Sequence, residues 1–389
     1  MNHQIYLDNG STSFPKAPGV AEAVFEFMTR QGVNINRGTY GKAYSAEEMV
    51  YETRCLLSEL FHGEGPKQVV FTKNVTESLN LVLKGFLKPG DHVLTSSMEH
   101  NAVMRPLQQL KERGVEFTRI PCTEEGRLCT EELERCLRPN TKALVMTHAS
   151  NVCGTVLPAR EAGAFCRAHG LKFFLDTAQT AGILPVDMED MCIDAVCFTG
   201  HKGLLGPQGT GGIVLRKGLE KEIEPLLSGG TGSISHTELI PEFLPDRFEP
   251  GTMNLPGIAG LRSSLLWLKE RGIEANRIHE EKLTAKFLRG LKPLEQEGFL
   301  KIAGLKTASG DRTAVVSVQT LKTDPAEAAF LLDEKYGIMT RVGLHCAPAA
   351  HKTLGTFPTG TIRFAFGWAS TGEEAEAALS AMEEICHGI

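Results

Sequence analysis

The sequence predicts an α/β fold: a mostly parallel sheet covered by helices, with a smaller α+β domain attached. Three observations carry this. Between residues 68 and 216, short β-branched and aromatic runs alternate with longer amphipathic segments, the pattern of crossover units on a parallel sheet. The chemically conspicuous polar residues fall where those runs end, which is where ligands sit in such sheets. A Gly- and Pro-rich stretch at 250–256 then separates this alternation from a long helical pattern and a mixed region.

Taken in order, the run at 69–71 leads into a helix over 76–87, and that at 92–94 into a helix over 101–113. The run at 143–146 precedes a helical pattern at 158–169, the run at 172–175 ends at Asp176, and two further runs occupy 195–198 and 212–215. Parallel neighbours need a crossover of about a dozen residues or more, usually a helix, and these intervals supply it. Beyond 256 a long helical pattern runs through Trp267 and past His279. The division expected is a large domain over 16–256 and a small α+β domain built from 1–15 and 257–389. There is no internal repeat and no low-complexity tract.

The 389 residues, 42% of them hydrophobic, suffice for a large core. A net charge of -6 leaves no basic field to recruit nucleic acid. No uninterrupted apolar run reaches the length of about 18 residues that a membrane span needs. The amino terminus, Met1-Asn2-His3-Gln4-Ile5-Tyr6, has neither a charged leader nor an apolar signal segment, so a cytoplasmic protein is expected. Ten cysteines are scattered at Cys55, Cys122, Cys129, Cys136, Cys153, Cys166, Cys192, Cys197, Cys346 and Cys386, without a CxxC pair. A zinc ribbon or dithiol centre is therefore poorly supported, no metal site is expected, and most of these thiols read as buried packing groups.

The first candidate centre is the string Phe198-Thr199-Gly200-His201-Lys202-Gly203. A lysine just past a strand and between glycines reaches a cleft with little obstruction. Desolvation or nearby cations would lower its pKa enough for imine formation; the competing reading is a solvated loop lysine. Asp176 ends the apolar run one crossover upstream, and a half-buried carboxylate needs a cation, a protonated pyridine nitrogen or an ordinary ion pair, unless it caps a helix. Gln179 and Asn151 are candidate donors to a phenolic oxygen, or loop caps. Lys73-Asn74-Val75-Thr76-Glu77-Ser78 joins a strand to a helix, whose free N–H groups suit a phosphate; Thr76 reads equally as an N-cap. Thr199 and His201 are further phosphate donors. His100 opens the next loop and stacks on a cofactor ring, or is simply a loop histidine.

A second cluster lies near the carboxyl end, in Arg341-Val342-Gly343-Leu344-His345-Cys346-Ala347-Pro348. Cys346 sits on a Gly- and Pro-bounded segment, and positive charge nearby favours the nucleophilic thiolate. Arg363 lies within an apolar strand-like run and demands an anion, either a substrate carboxylate held bidentately or a structural salt bridge. Arg341 is a second, weaker candidate around the same site.

Asn34-Ile35-Asn36-Arg37-Gly38, Val75-Thr76-Glu77-Ser78, Glu99-His100, Ser150-Asn151-Val152-Cys153-Gly154, Asp176-Thr177-Ala178-Gln179 and Gly200-His201-Lys202 together resemble class V aminotransferase-fold enzymes. With the Cys346 segment they resemble the cysteine desulfurase and selenocysteine lyase branch, across nearly the whole chain and in the family's order. The resemblance implies a type I fold for pyridoxal 5'-phosphate (PLP) enzymes with a seven-stranded-type sheet, and Lys202 as the lysine that bonds the cofactor. It implies Asp176 on the pyridine nitrogen, His100 stacked on the ring and active in catalysis, Thr76, Thr199 and His201 around the phosphate, and Glu77 also beside the cofactor. Asn151 and Gln179 face the phenolic oxygen, and Arg363, with Arg341 and Asn151, holds the substrate. Thr252 resembles the segment that reaches the phosphate of the neighbouring subunit in a homodimer. Cys346 takes sulfur from L-cysteine as a persulfide and passes it to an acceptor protein or thiol. Its context resembles the second subgroup, with a compact cysteine loop. Two departures stand out: Leu344-His345 replaces a frequent pair of histidines, and Ala349-Ala350-His351-Lys352 replaces the usual continuation.

Selenium leaves without a thiolate's help, so L-selenocysteine is an alternative substrate of the same scaffold. An aminotransferase or epimerase is the second alternative, favoured if a keto acid, rather than alanine plus sulfide, accumulates from an amino acid. A non-catalytic relative would lack one of Lys202, Asp176 and Cys346, and all three are present.

Overall fold

Alternating apolar runs and amphipathic segments build a seven-stranded sheet between two layers of helices. The structure, a computed structural model, describes residues 4–35, 38–234, 236–308 and 310–388; Asn36 and Arg37 of the first motif lie outside the described residues. The chain opens with β1 (Ile5–Tyr6), α1 (Val20–Glu26) and α2 (Gly41–Leu60). The large sheet then forms from β2 (Val69–Thr72), β3 (His92–Ser96), β4 (Glu116–Ile120), β5 (Thr141–Thr147), β6 (Lys172–Asp176), β7 (Ala195–Thr199) and β8 (Gly211–Leu215). Between these strands run α3 (Val75–Phe86), α4 (Asn101–Lys111), α5 (Leu133–Cys136) and α6 (Ala159–Ala168).

The strand order is β2-β8-β7-β6-β5-β3-β4. Strands β3 to β7 pair in parallel, whereas β8 runs antiparallel to both β7 and β2. Two reversals cancel, so the carboxyl end of β2 lies on the same edge as those of β3, β5, β6 and β7. The central strands alternate strictly. Leu144, Met146, Phe173, Leu175, Val196 and Phe198 face one core with α2 and α6, while Ala143, Val145, Phe174, Ala195 and Cys197 face another with α3 and α4. Both faces are apolar because helices cover both. The edge strand β4 carries exposed Glu116 and Arg119, which explains why apolar periodicity does not reveal it.

The long helical pattern past residue 256 is two helices, α7 (Leu255–Arg271) and α8 (Ile273–Gln296). They break at Gly272, whose φ of 81° suits glycine. Leu255, Ile258, Leu261, Leu265 and Leu268 of α7 belong to the first core. A division near Gly272 therefore fits the packing better than one at 256.

The rest comprises β9 (Leu300–Ala303), β10 (Val315–Thr320), α9 (Pro325–Glu334), β11 (Ile338–Met339), β12 (Arg341–Gly343), α10 (Pro348–Thr353), β13 (Thr361–Ala365) and α11 (Gly372–His387). Its four-stranded sheet, β12-β13-β10-β9, shares a core with α8 and α11 that also takes in Ile5 and Leu7. Strand β1 pairs in parallel with β11, so the first residues are pinned beside the last third of the chain. No helix among the described residues is long and apolar enough to cross a membrane.

Candidate active site

The strand order sets the site. Along one edge of the large sheet lie, side by side, the loops after β7 (Lys202), β6 (Asp176 and Gln179), β5 (Asn151) and β3 (His100). Four segments up to about a hundred positions apart thereby converge on the expected crevice.

Lys202 sits in a turn closed by Leu205 N–H donating to its carbonyl at 2.8 Å. The flanking glycines are required by contact: a Cβ on Gly200 would lie 2.1 Å from Thr210 Oγ1, and one on Gly203 2.4 Å from the Ala181 carbonyl oxygen. The Lys202 amine is pushed down to about 8, first by burial and then by Arg363, with Asp176 pulling it partly back. It lines a cavity of about 40 Å³ with Gly10, Gln179 and Glu280.

Asp176 is only 2% exposed. Burial raises its pKa, and the Ala178 N–H (2.9 Å) and the Lys202 amine oppose the rise. Among the described residues no lysine or arginine is within ion-pair distance of it. Its carboxylate is thus buried with one local donor, the Ala178 N–H, and no ion-pair partner among the described residues.

His100 caps α4, its Nδ1 accepting from Ala102 N–H at 3.0 Å. Burial, then the charges of Lys202, Arg341 and Arg363, hold it down to about 4. At neutral pH it is an uncharged ring with its proton on Nε2.

The phosphate candidates also gather at this edge. Thr72 of β2 and Thr199 of β7 both pair with Gly211 across β8, where a Cβ would come within 2.7 Å of Asn74 Cα. The N-cap of α3 is Asn74, whose side chain accepts from Glu77 N–H. This leaves Thr76 exposed in the first turn with its hydroxyl available. The Glu77 carboxylate accepts from Lys73 N–H at 2.6 Å and so closes the start of the helix. Thr252 lines a cavity of about 410 Å³ with Lys73, Glu77 and Thr210. His201 Nδ1 meets Thr12 Oγ1 at 3.1 Å, and burial holds the ring down to about 4. Thr199 is buried, with only a 3.5 Å contact to the Thr210 carbonyl.

The remaining polar groups all have partners within the protein. Gln179 Nε2 donates to the Gly10 carbonyl at 3.0 Å. Asn151 Nδ2 donates to the His345 carbonyl at 2.8 Å, and the Asn151 carbonyl accepts from Arg363 at 3.0 Å. Arg363, 2% exposed, does have the structural salt bridge, Nη2 to Asp8 Oδ1 at 2.8 Å. The same nitrogen donates to Ser11 Oγ at 2.7 Å, while its Nε is buried without a partner. Arg341 Nη1 donates to Ser11 Oγ as well, at 2.9 Å. Two guanidinium groups thus meet through one hydroxyl.

Cys346 is exposed. Its carbonyl accepts from Asn101 N–H at 2.8 Å, which fixes it to the first residue of α4, next to His100. His345 and Cys346 both have left-handed φ, 47° and 57°. Of the other cysteines, Cys153, Cys166, Cys197 and Cys386 are buried; the remaining five are partly exposed rather than packed away.

The expected set omits Asp8, Ser11 and Glu99. Glu99 is fully buried; Thr147 N–H donates to both its oxygens at 3.0 and 3.1 Å, and Ser96 Oγ–H donates a short bond. It ties the end of β3 to the end of β5, beside Asp176. For Asp8 the signal was present, a polar residue just past the apolar run Ile5-Tyr6-Leu7; Glu99 follows the polar stretch Thr95-Ser96-Ser97 and carries no such mark.

A family model described as aminotransferase class-V matches residues 5–378. A probable cysteine desulfurase of Pyrococcus abyssi is 34% identical over 98% of this chain and 94% of its own length. One of Methanothermobacter thermautotrophicus is 30% identical over 99% and 95%. Among solved structures, the apo cysteine desulfurase of Thermococcus onnurineus NA1 superposes with a TM-score of 0.92 at 31% identity, covering 99% of this chain and 95% of that one.

Proposed function

Because this chain belongs to the class-V aminotransferase family, we propose that it is a PLP-dependent cysteine desulfurase that converts L-cysteine to L-alanine and takes the sulfur on Cys346. The observation that carries this is the pinning of an exposed cysteine to the edge that bears Lys202 and Asp176. The Cys346 carbonyl is bound at α4, one residue past His100, and the His345 carbonyl is bound by Asn151.

The donor set fits the cofactor. Asp176 offers a buried carboxylate without a resident cation, which suits a protonated pyridine nitrogen. Neutral His100 offers a ring face, Lys202 an amine with a lowered pKa, Thr76 an exposed hydroxyl in the first turn of α3, and Thr199 and His201 further donors at and just past the end of β7. Bound there, PLP would supply an electron sink for negative charge at the substrate's α-carbon. With the cofactor held there, the Lys202 amine would move the substrate's α-proton. The Arg363 guanidinium is held by Asp8, Ser11 and the Asn151 carbonyl before substrate arrives, and its unpartnered Nε remains for a carboxylate. The Cys346 thiolate attacks the substrate sulfur: an S–S bond forms, the C–S bond breaks, and its electrons return to the carbon skeleton, which takes a proton and leaves as alanine. An acceptor thiol or protein then removes the persulfide sulfur.

Exposed Phe25, Met28, Tyr40, Tyr44 and Tyr51 around α1 and α2 support a homodimer, and the working compartment proposed is the cytoplasm. Cys346→Ala tests the function. The variant should bind PLP with the yellow colour of the wild type and lose alanine formation from cysteine by about 100-fold or more. Undiminished turnover would defeat the proposal.

A further inference from the structure

The Cys346 loop rests on two buried histidines that the reaction leaves unused. His345, which precedes the thiol-bearing residue, is 4% exposed, and His351, on α10, is 0% exposed. Their ring centroids lie 5.5 Å apart with planes tilted by 37°. Each ring is held on one side by a threonine: His345 Nε2 meets Thr361 Oγ1 at 3.0 Å, and His351 Nδ1 meets Thr356 Oγ1 at 2.7 Å. The other nitrogen of each, His345 Nδ1 and His351 Nε2, is buried without a partner.

Resting on the desulfurase reading, we propose that His351 is a positioning residue for Cys346: its ring packs against that of His345, the two free nitrogens share one bridging water, and the pair so fixes the turn that presents the thiol. Burial keeps both imidazoles well below their usual pKa, so each carries one N–H and one bare nitrogen. Threonine hydroxyls donate or accept as required, which lets one ring donate its N–H to a shared water and the other accept from it. Left apart, two buried polar atoms would each cost about 1–3 kcal/mol.

The turn needs such support. Residues 345 and 346 are both in the left-handed region, and strained backbone of this kind persists only where its surroundings over-determine it. Three restraints are already visible: Asn151 on the His345 carbonyl, Asn101 on the Cys346 carbonyl, and Ala347 N–H on the Leu344 carbonyl. All act on the backbone. The His345 ring is the only side-chain handle within this two-residue turn that points into the protein, and Thr361 and His351 grip it from the strand and the helix that follow.

Two substitutions separate the positioning contact from simple packing. His351→Asn keeps an amide at the Nδ1 position to meet Thr356 but lacks reach toward His345. His351→Gln places an amide where Nε2 stands. Turnover of cysteine and of selenocysteine would be measured on the holoenzymes. Peptide mass spectrometry would follow the iodoacetamide alkylation rate of Cys346 in cofactor-free protein, against the other nine cysteines as internal references. Misplacing a reacting atom by about 1 Å costs about 100-fold, so His351→Asn should lower cysteine turnover about 10- to 100-fold and alter Cys346 alkylation alone. Selenocysteine turnover, in which selenium departs unaided, should stay within about threefold of wild type, as should cysteine turnover in His351→Gln.

The proposal falls if His351→Asn matches wild type, if His351→Gln loses as much as His351→Asn, or if selenocysteine turnover drops with cysteine turnover. Should His351→Asn not purify folded, Thr356→Val frees the ring instead and should give a smaller loss in the same direction; wild-type values there overturn the proposal. Failure of the functional reading is distinguishable, because wild-type protein would then make no alanine from cysteine while the alkylation comparison still reports on the turn.

Discussion

Replacing Glu99 by glutamine removes one ionisable group from the seam between β3 and β5 while keeping its shape. Burial pushes this carboxyl from its ordinary 4.5 up to about 8, and the charge of Asp176 adds to the rise; hydrogen bonds from Ser96 and Thr147 oppose it. Between pH 4.5 and 8 the unfolded chain has therefore released a proton that the native protein still holds. Unfolding releases that proton, so Glu99 makes stability fall as pH rises through this window. The slope is about 1.4 kcal/mol per pH unit and the integrated effect about 5 kcal/mol, as an order of magnitude. Buried His100, His148 and His201, each held down to about 4, act in the opposite sense below their ordinary 6.5. The informative quantity is accordingly the difference between Glu99→Gln and wild type, in which the histidines cancel. Denaturant unfolding at half-unit steps from pH 5 to 8 should show the variant gaining on wild type as pH rises. A difference that stays flat would mean that Glu99 is already ionised in the native state, and that its three hydrogen bonds outweigh burial.

Two further outcomes follow from the site. Lys202, held at about 8, attacks an aldehyde only as the free amine. Borohydride-trapped PLP at Lys202 should thus form about tenfold faster per pH unit up to 8 and level off above it. Arg363→Met removes the second-largest cause of the shift and should move the bend to higher pH, whereas a wild-type bend near the ordinary 10.5 would refute the electrostatic reading. Asn151→Asp exchanges the Nδ2 donor for an acceptor facing the His345 carbonyl. This costs about 1–3 kcal/mol locally, so amide exchange at Leu344 and Ala347 should quicken about tenfold or more, and unchanged protection would show that Asn151 does not hold the loop.

The part of the fold legible in the sequence was the part governed by short-range periodicity. Strands β5, β6 and β7 are apolar on both faces, so continuous runs such as Lys172-Phe173-Phe174-Leu175 announce buried parallel strands, and the polar residue that ends each run marks the crevice. Asp176 and Lys202 were visible for this reason. Strand β4 was not, because an edge strand carries charge. Nor was the break at Gly272, since a single glycine between two amphipathic helices leaves the 3.6-residue period almost undisturbed on either side. Glu77 was assigned by motif alone, and a motif does not reveal that its carboxylate folds back onto Lys73 N–H to close the helix start.

What periodicity cannot supply is the choice of partner between distant segments. The sequence leaves Asn151 and Gln179 as donors to a cofactor or as loop caps, and their amide nitrogens reach the His345 and Gly10 carbonyls, 194 and 169 positions away. The sequence leaves Arg363 facing either a substrate or a salt bridge, and the structure holds it to Asp8, 355 positions away, without using its Nε. These alternatives are not exclusive. A guanidinium already oriented by Asp8, Ser11 and a backbone carbonyl loses little side-chain entropy when a carboxylate arrives, and Gly10, where a Cβ would lie 3.0 Å from the Arg363 Cζ, lets the amino-terminal segment pack directly against it. The pairing of β1 with β11 is what makes this possible: it carries the first residues of the chain to the site, so that a segment with no catalytic signature of its own sets the geometry of the arginine.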